Sequence, residues 1–158
     1  MFKQIHIFDM DGTIVDSLHR FRIDPNTGKI DLPFWIEHDT PEHIAKDRPK
    51  GALAEIYKEM IADPEIYVVI ATARVMKAAD YEWLKNNLGL PNKIISRNGR
   101  NDNRKGADMK IAGLRYLKNL RQFANIPKWF YEDNKDYLYP VANFLGAVPI
   151  YCESQQGV

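Results

Sequence analysis

Phe8-Asp9-Met10-Asp11-Gly12-Thr13 follows directly on the apolar residues Ile5 and Ile7, so two carboxylates leave a short hydrophobic run together. Such a run, ended by a glycine turn, reads as a buried strand, and parallel α/β sheets place reactive groups just past the carboxyl ends of their strands. Strand side chains repeat every second residue, which projects Asp9 and Asp11 the same way. Two anions so close raise one another's pKa unless a cation lies between them. A hard divalent ion with oxygen ligands, most simply Mg²⁺, meets that need. Gly12 permits the sharp turn, and Thr13 offers a hydroxyl where the strand ends. The same residues also read as a plain Asp/Gly-rich turn, and the rest of the chain decides between the two.

Four further apolar runs read as strands of the same sheet: Tyr67 to Ala71, Lys93 to Ser96, Trp129 to Tyr131 and Val148 to Cys152, with Gln4 to Phe8 the first. Helical patterns lie between them. Lys50 to Ile61 puts Leu53, Ile56, Tyr57, Met60 and Ile61 on one face and stops at Asp63-Pro64. Met76 to Leu88 ends at Gly89, Lys110 to Phe123 carries Ile111, Leu114, Leu117 and Leu120, and Asp136 to Leu145 ends at Gly146. Strand and helix alternating at this spacing predict an α/β fold, a doubly wound parallel sheet with its strand ends on one rim. Residues 16–49 break the rhythm. Asp24-Pro25-Asn26-Thr27-Gly28 predicts a turn of a β-hairpin flap, and Asp39-Thr40-Pro41-Glu42 a helix start. An insert of this size supplies a lid and not a full cap domain.

The 158 residues predict one domain, and 45% hydrophobic with 27% charged residues is the balance of a soluble globular chain. The net charge of +1 leaves any polyanion to a local basic cluster. Cys152 is the only cysteine, which excludes an internal disulfide or a cysteine-rich zinc site and fits a reducing cytoplasm. Only Met1 to Gln4 precede the first strand, and no apolar segment approaches the roughly 20 residues of a membrane span. A cytoplasmic protein without membrane partners is the expectation.

Three segments downstream carry chemistry. Val68-Val69-Ile70-Ala71-Thr72-Ala73-Arg74 ends in a hydroxyl and a guanidinium, both suited to phosphate oxygens; the alternative is a helix cap and a surface charge. Residues 96–110 gather Arg97, Arg100, Arg104, Lys105 and Lys110, the one basic cluster of the chain. Arg100 and Lys105 fit a solvated loop, whereas Lys110, opening the next helix, leans back over the rim as a point charge, with Arg104 beside it. Trp129-Phe130-Tyr131-Glu132-Asp133 again ends an apolar run in acids, which complete a metal site with Asp9 and Asp11 or else begin a helix.

Taken in order, these four signals resemble the haloacid dehalogenase superfamily: DxDGT, a strand ending in Thr, a lysine, then an acidic pair. The resemblance covers Lys3 to Cys152 and is most like the 3′-phosphatase domain of phage-type polynucleotide kinase, through Arg74, the spacing of Arg97, Arg104 and Lys110, and Glu132-Asp133 before Leu145-Gly146-Ala147. That domain has an aspartate where this chain has Gly106, and Asp-Asp where it has Glu132-Asp133. The resemblance implies a Rossmann-like haloacid dehalogenase fold and a phosphomonoesterase with Mg²⁺ as cofactor. It implies Asp9 as nucleophile, Asp11 as general acid and base, and Thr72 and Lys110 holding the phosphoryl group. Arg74, Arg97, Arg104, Gly12 and Thr13 are then substrate-binding. Mg²⁺ is held by Asp9, Asp11 through its carbonyl, Glu132 and Asp133, with Asp136 supporting.

Asp11 argues for phosphoryl transfer over halide displacement, since dehalogenases proper lack the second aspartate. A short flap in place of a cap suits a nucleic-acid 3′ end or a nucleotide, with Phe34 and Trp35 placed to stack on a base. A small-molecule nucleotidase or sugar phosphatase is the alternative, and a catalytically silent binding module a further one. No GxxxxGK[ST] loop accompanies the motifs, so no kinase half is expected.

Overall fold

The computed structural model describes residues 1–158. Five parallel strands form its central sheet: β1 (Gln4–Phe8), β4 (Ile66–Val75), β5 (Lys93–Arg97), β6 (Lys128–Glu132) and β7 (Val148–Tyr151), in the order β5-β4-β1-β6-β7. β1 takes the centre, hydrogen-bonded to β4 on one edge and β6 on the other, with a helical layer on each face. Ile5 and Ile7 enter one core with Met109, Leu114, Leu117, Leu138 and Val141. Phe8 points the other way, into a second core with Ala54, Tyr57, Trp83 and Leu84. The first core is roofed by α5 (Gly106–Leu114), α6 (Tyr116–Asn119), α7 (Arg121–Ala124) and α8 (Lys135–Leu145), the second by α3 (Gly51–Ile61) and α4 (Ala78–Asn87). This is the doubly wound α/β sheet that the alternation predicted. No helix is long and apolar enough to cross a membrane.

Several boundaries differ from the sequence reading. The helix expected over 110–123 begins four residues earlier, at Gly106, and breaks into three pieces, so Lys110 lies in its second turn and not at its start. β4 runs on to Val75, which puts Thr72 and Arg74 inside a strand and removes Thr72 as a helix cap. Ala71 pairs with Ile95 and Val75 with Arg97, so the extra residues between them form a bulge. Bulges re-aim side chains at sheet ends, and Thr72 and Arg74 are the residues re-aimed here.

Within 16–49 the expected hairpin is reduced to one bridge, Ile23 to Ile30, closed by Asp24 N–H on Lys29 O at 2.8 Å. Two short helices follow: α1 (Leu32–Glu37), capped by Asp31, and α2 (Pro41–Ile44), capped by Thr40 at the predicted start. The ends of the segment pair with each other, β2 (Val15–Asp16) antiparallel to β3 (Arg48–Pro49), a stalk the sequence did not reveal.

His6 alternates with Ile5 and Ile7 and is buried against Trp129, ring to ring at 4.7 Å, with Nδ1 2.8 Å from the Tyr131 hydroxyl. Burial lowers its pKa from 6.5 to about 4. The folded state therefore binds this proton less well than the unfolded chain, so stability is full above pH 6.5 and falls as the pH drops toward 4. Denaturant melts at pH 7.5 and 4.5 should show wild type losing roughly 2 to 3 kcal/mol relative to His6→Gln. Parallel pH dependence in the two proteins would refute the assignment to His6.

Candidate active site

Three strand ends converge at one rim. β1 hands Asp9 to the site, β6 hands over Glu132 and Asp133, and the bulge of β4 supplies Thr72 and Arg74. Asp9 keeps the facing of Ile5 and Ile7 and so meets α5, whose Lys110 is fully buried. The Lys110 ammonium donates to Asp9 Oδ1 at 2.9 Å and to Glu132 Oε2 at 2.6 Å. Thr13 donates to Asp9 Oδ2 at 3.1 Å, and Glu132 Oε1 accepts the Asp133 and Asn134 N–H groups at 3.0 and 3.2 Å.

Carboxylate oxygens of Asp9, Glu132 and Asp133, all buried, lie within 4.8 Å of one another. One ammonium faces three carboxylates. Burial first, and then the charge of Glu132, raise Asp9 to about 7 against the pull of Lys110. Glu132 and Asp133 are likewise raised to about 7, chiefly by burial. Burial opposes the charge on Lys110, yet Asp9 and Glu132 together hold its pKa above the usual lysine value. An uncompensated, all-oxygen acidic cluster of this kind has the donor set and the charge deficit that a hard divalent cation satisfies.

Asp11 does not join that cluster. The strand ends at Phe8, so alternation no longer governs where Asp11 points. Its carboxylate instead takes a bidentate pair from Arg74, Nε at 2.8 Å and Nη2 at 2.6 Å, and a bond from the Ser17 hydroxyl at 2.6 Å. Burial pushes its pKa up, but the Arg74 charge and hydrogen bonds, with Arg20 and Ser17, outweigh that and lower it. The raised pKa expected from two adjacent anions is thereby reversed. Arg74 is correspondingly spent: Nη1 goes to Asp80 at 2.9 Å and Nη2 also to Asp47 at 3.0 Å.

Gly12 adopts φ +82°, and a Cβ there would come within 2.0 Å of Asp133 Oδ2, so the turn is glycine for both conformation and space. Gly106 is constrained by space alone. A side chain at that position meets the Tyr137 ring at 2.5 Å, and Lys110 sits 5.3 Å from the same ring. The aspartate of the resembling subfamily has no room here because Tyr137 holds its place.

Asp136 stands outside the cluster. It is 76% exposed at the head of α8 and faces Lys29 at 3.4 Å, since the helix start turns it to solvent. Arg97 lines the cavity but donates to the backbone oxygens of Ala73, Asp102 and Arg104, and Arg104 is paired with Asp102 at 2.6 Å. Arg100 reaches across to Asp39 of the insert. Of the two aromatics, Trp35 lines the cavity with Arg20 stacked 4.2 Å from its ring, while Phe34 packs on His38 and Arg22 away from it. Sequence reasoning missed Ser17, Asp47, Asp80 and Ser154, the last donating to Asp133 Oδ2 at 2.7 Å. None of these four belongs to a local pattern.

The acids floor a cavity of about 360 Å³. Phe21, Ile30, Leu32 and Trp35 of the insert form one wall, and the 97–104 loop forms the opposite one. That volume is at the low end of sites that hold one small molecule.

The sequence model of one protein family, described as bacteriophage T5 5′-deoxynucleotidase, matches residues 1–146. No curated protein matches the chain. Among solved structures, a chain of the Pnkp1/Rnl/Hen1 RNA repair complex is similar at 16% identity and TM-score 0.63, over 97% of this chain and 44% of that one. The chain thus spans less than half the length of that relative. A haloacid dehalogenase-like family hydrolase from Streptococcus pneumoniae is similar at 15% identity and TM-score 0.62, over 98% of this chain and 88% of that one. At such identities the two structures establish the fold.

Proposed function

Since the chain belongs to the bacteriophage T5 5′-deoxynucleotidase family and is a hydrolase of phosphoric monoesters, we propose that it removes the 5′-phosphate of a deoxynucleoside monophosphate. The observation that carries this reading is the juxtaposition of Asp9, at the acidic cluster, with the Asp11–Arg74 pair on the floor of a cavity sized for one small molecule. An apolar wall with Trp35 suits a base, and the internal pairing of Arg97, Arg100 and Arg104 leaves no row of free cations for the phosphates of a strand. A nucleotide is favoured over a polynucleotide 3′ end on that ground.

Asp9, Glu132 and Asp133 would hold Mg²⁺, which when bound neutralises phosphate charge that would otherwise repel Asp9. Lys110 and Thr13 orient the Asp9 carboxylate through the bonds given above. An Asp9 oxygen attacks phosphorus, the bond from phosphorus to the 5′ oxygen breaks, and Asp11 gives its proton to the departing alkoxide. Asp11 is held ionised in the free protein, so the proton it hands to the alkoxide comes from the monoanionic form of the ester, whose phosphate charge raises the proton affinity of Asp11. A water then passes a proton to Asp11 and attacks the aspartyl-phosphate, freeing inorganic phosphate and Asp9. Thr72 supplies a hydroxyl beside the phosphoryl oxygens.

The test is phosphate release from 5′-deoxynucleoside monophosphates, 3′-phosphorylated oligonucleotides and hexose phosphates, each with Mg²⁺ and with EDTA. Preference for the deoxynucleotide and loss in EDTA are expected. Release from the oligonucleotide in preference to the mononucleotide would overturn the substrate assignment. Mg²⁺ should also raise the melting temperature more at pH 8 than at pH 6, because its three carboxylate ligands sit near 7 and must shed protons to bind it.

A further inference from the structure

Asp47 lies outside every motif of the chain, yet its side chain is fully buried and surrounded by donors. Oδ1 accepts from His19 Nε2 at 2.8 Å and Arg20 Nε at 3.0 Å. Oδ2 accepts from Arg20 Nη2 at 2.9 Å and Arg74 Nη2 at 3.0 Å. Its backbone carbonyl takes the Trp83 indole N–H at 2.9 Å, which anchors it to α4. Residues from both ends of the insert, His19 and Arg20 from one and Asp47 from the other, therefore meet at the Asp47 carboxylate, which in turn bonds the arginine that grips Asp11.

We propose that Asp47 is a positioning residue for proton transfer by Asp11, acting through Arg74. A guanidinium bonded only to Asp11 is free to tilt about that edge. Asp80 on Nη1 and Asp47 on Nη2 fix its plane from the far side, and so fix the Asp11 carboxyl that shares Nε and Nη2. Of the two anchors, Asp80 also accepts the Lys77 N–H at the start of α4, whereas Asp47 brings the insert to bear. The insert thereby does more than wall the cavity: it sets the geometry of the proton donor. This inference rests on the acid–base role proposed for Asp11.

Leaving groups separate positioning from mere folding. An alkoxide needs Asp11's proton as the phosphorus–oxygen bond breaks, whereas p-nitrophenolate departs without it. Asp47→Asn keeps the shape and removes the charge. We expect its kcat on a deoxynucleoside monophosphate, or on glycerol phosphate should nucleotides not be turned over, to fall about 10- to 100-fold. On p-nitrophenyl phosphate the pre-steady-state burst of p-nitrophenolate, which reads attack by Asp9 before the water step that also uses Asp11, should change by under about threefold, with KM for both esters little moved. In an Asp11→Asn background the same substitution should add less than about twofold, as coupled sites do. Equal losses on both esters, or additive losses in the double variant, would overturn the proposal. If Asp47→Asn does not fold, Arg20→Lys, which keeps the charge but breaks the two bonds to Asp47, gives the same readout. Activity of wild type on glycerol phosphate but not nucleotides would refute the substrate reading alone, and no turnover of any ester would refute both.

Discussion

Asp9→Asn should lower phosphate release by a factor on the order of 10⁴ or more while leaving the protein folded. The amide keeps the outline of the carboxyl group but cannot attack phosphorus, and Lys110 retains its 2.6 Å partner Glu132. Removing one of three buried carboxylates also relieves repulsion, so in EDTA the variant should melt no lower than wild type. The combination is diagnostic, since a general folding defect lowers both quantities. Steady-state kinetics and thermal melts measure them, and a loss under about tenfold in a folded variant would remove Asp9 as the nucleophile.

Arg74→Met should be the most destabilising single change at the site. It leaves the carboxylates of Asp11, Asp47 and Asp80 within a largely buried region, with Arg20 the only guanidinium still bonded to any of them. Breaking a buried pair by removing one partner costs about 3 to 5 kcal/mol, or roughly 10 to 15 °C of melting temperature for a chain of this size. Arg74→Lys should rescue little, because a single ammonium cannot make the four bonds that the planar fork makes to three acids. Calorimetry of both variants checks this. A melting temperature within a few degrees of wild type would show that the three acids shed their charge at little cost.

The parts of the site legible in the sequence are those on strand ends. Asp9 follows a run whose alternation is visible locally, and Glu132-Asp133 follows another, so parallel pairing of β1 with β6 brings them together without further information. Lys110 was placed at the rim for an approximate reason, since its helix begins a turn earlier. Alternation does not reach Asp11, because β1 ends at Phe8 and the chain turns before it. The Arg74 network was not legible at all. Its partners lie 63, 27 and 6 residues away, and one of them, Asp47, becomes a neighbour only when the insert folds back on its stalk. Asp136 is the opposite case: a helix start fixes its backbone, but the turn faces outward to Lys29.

Gln156 and Val158 line the cavity, held by a run of bonds from residues 154–158. Ser154 holds Asp133, Gln156 exchanges bonds with Ser17 at 2.9 and 3.3 Å, and Asn134 donates to Val158 O at 3.2 Å. Gln156 N–H on Ser154 Oγ at 2.9 Å joins the two knots, so this strap lashes the acids of β6 to the root of the insert and a slip at either end is felt at the other.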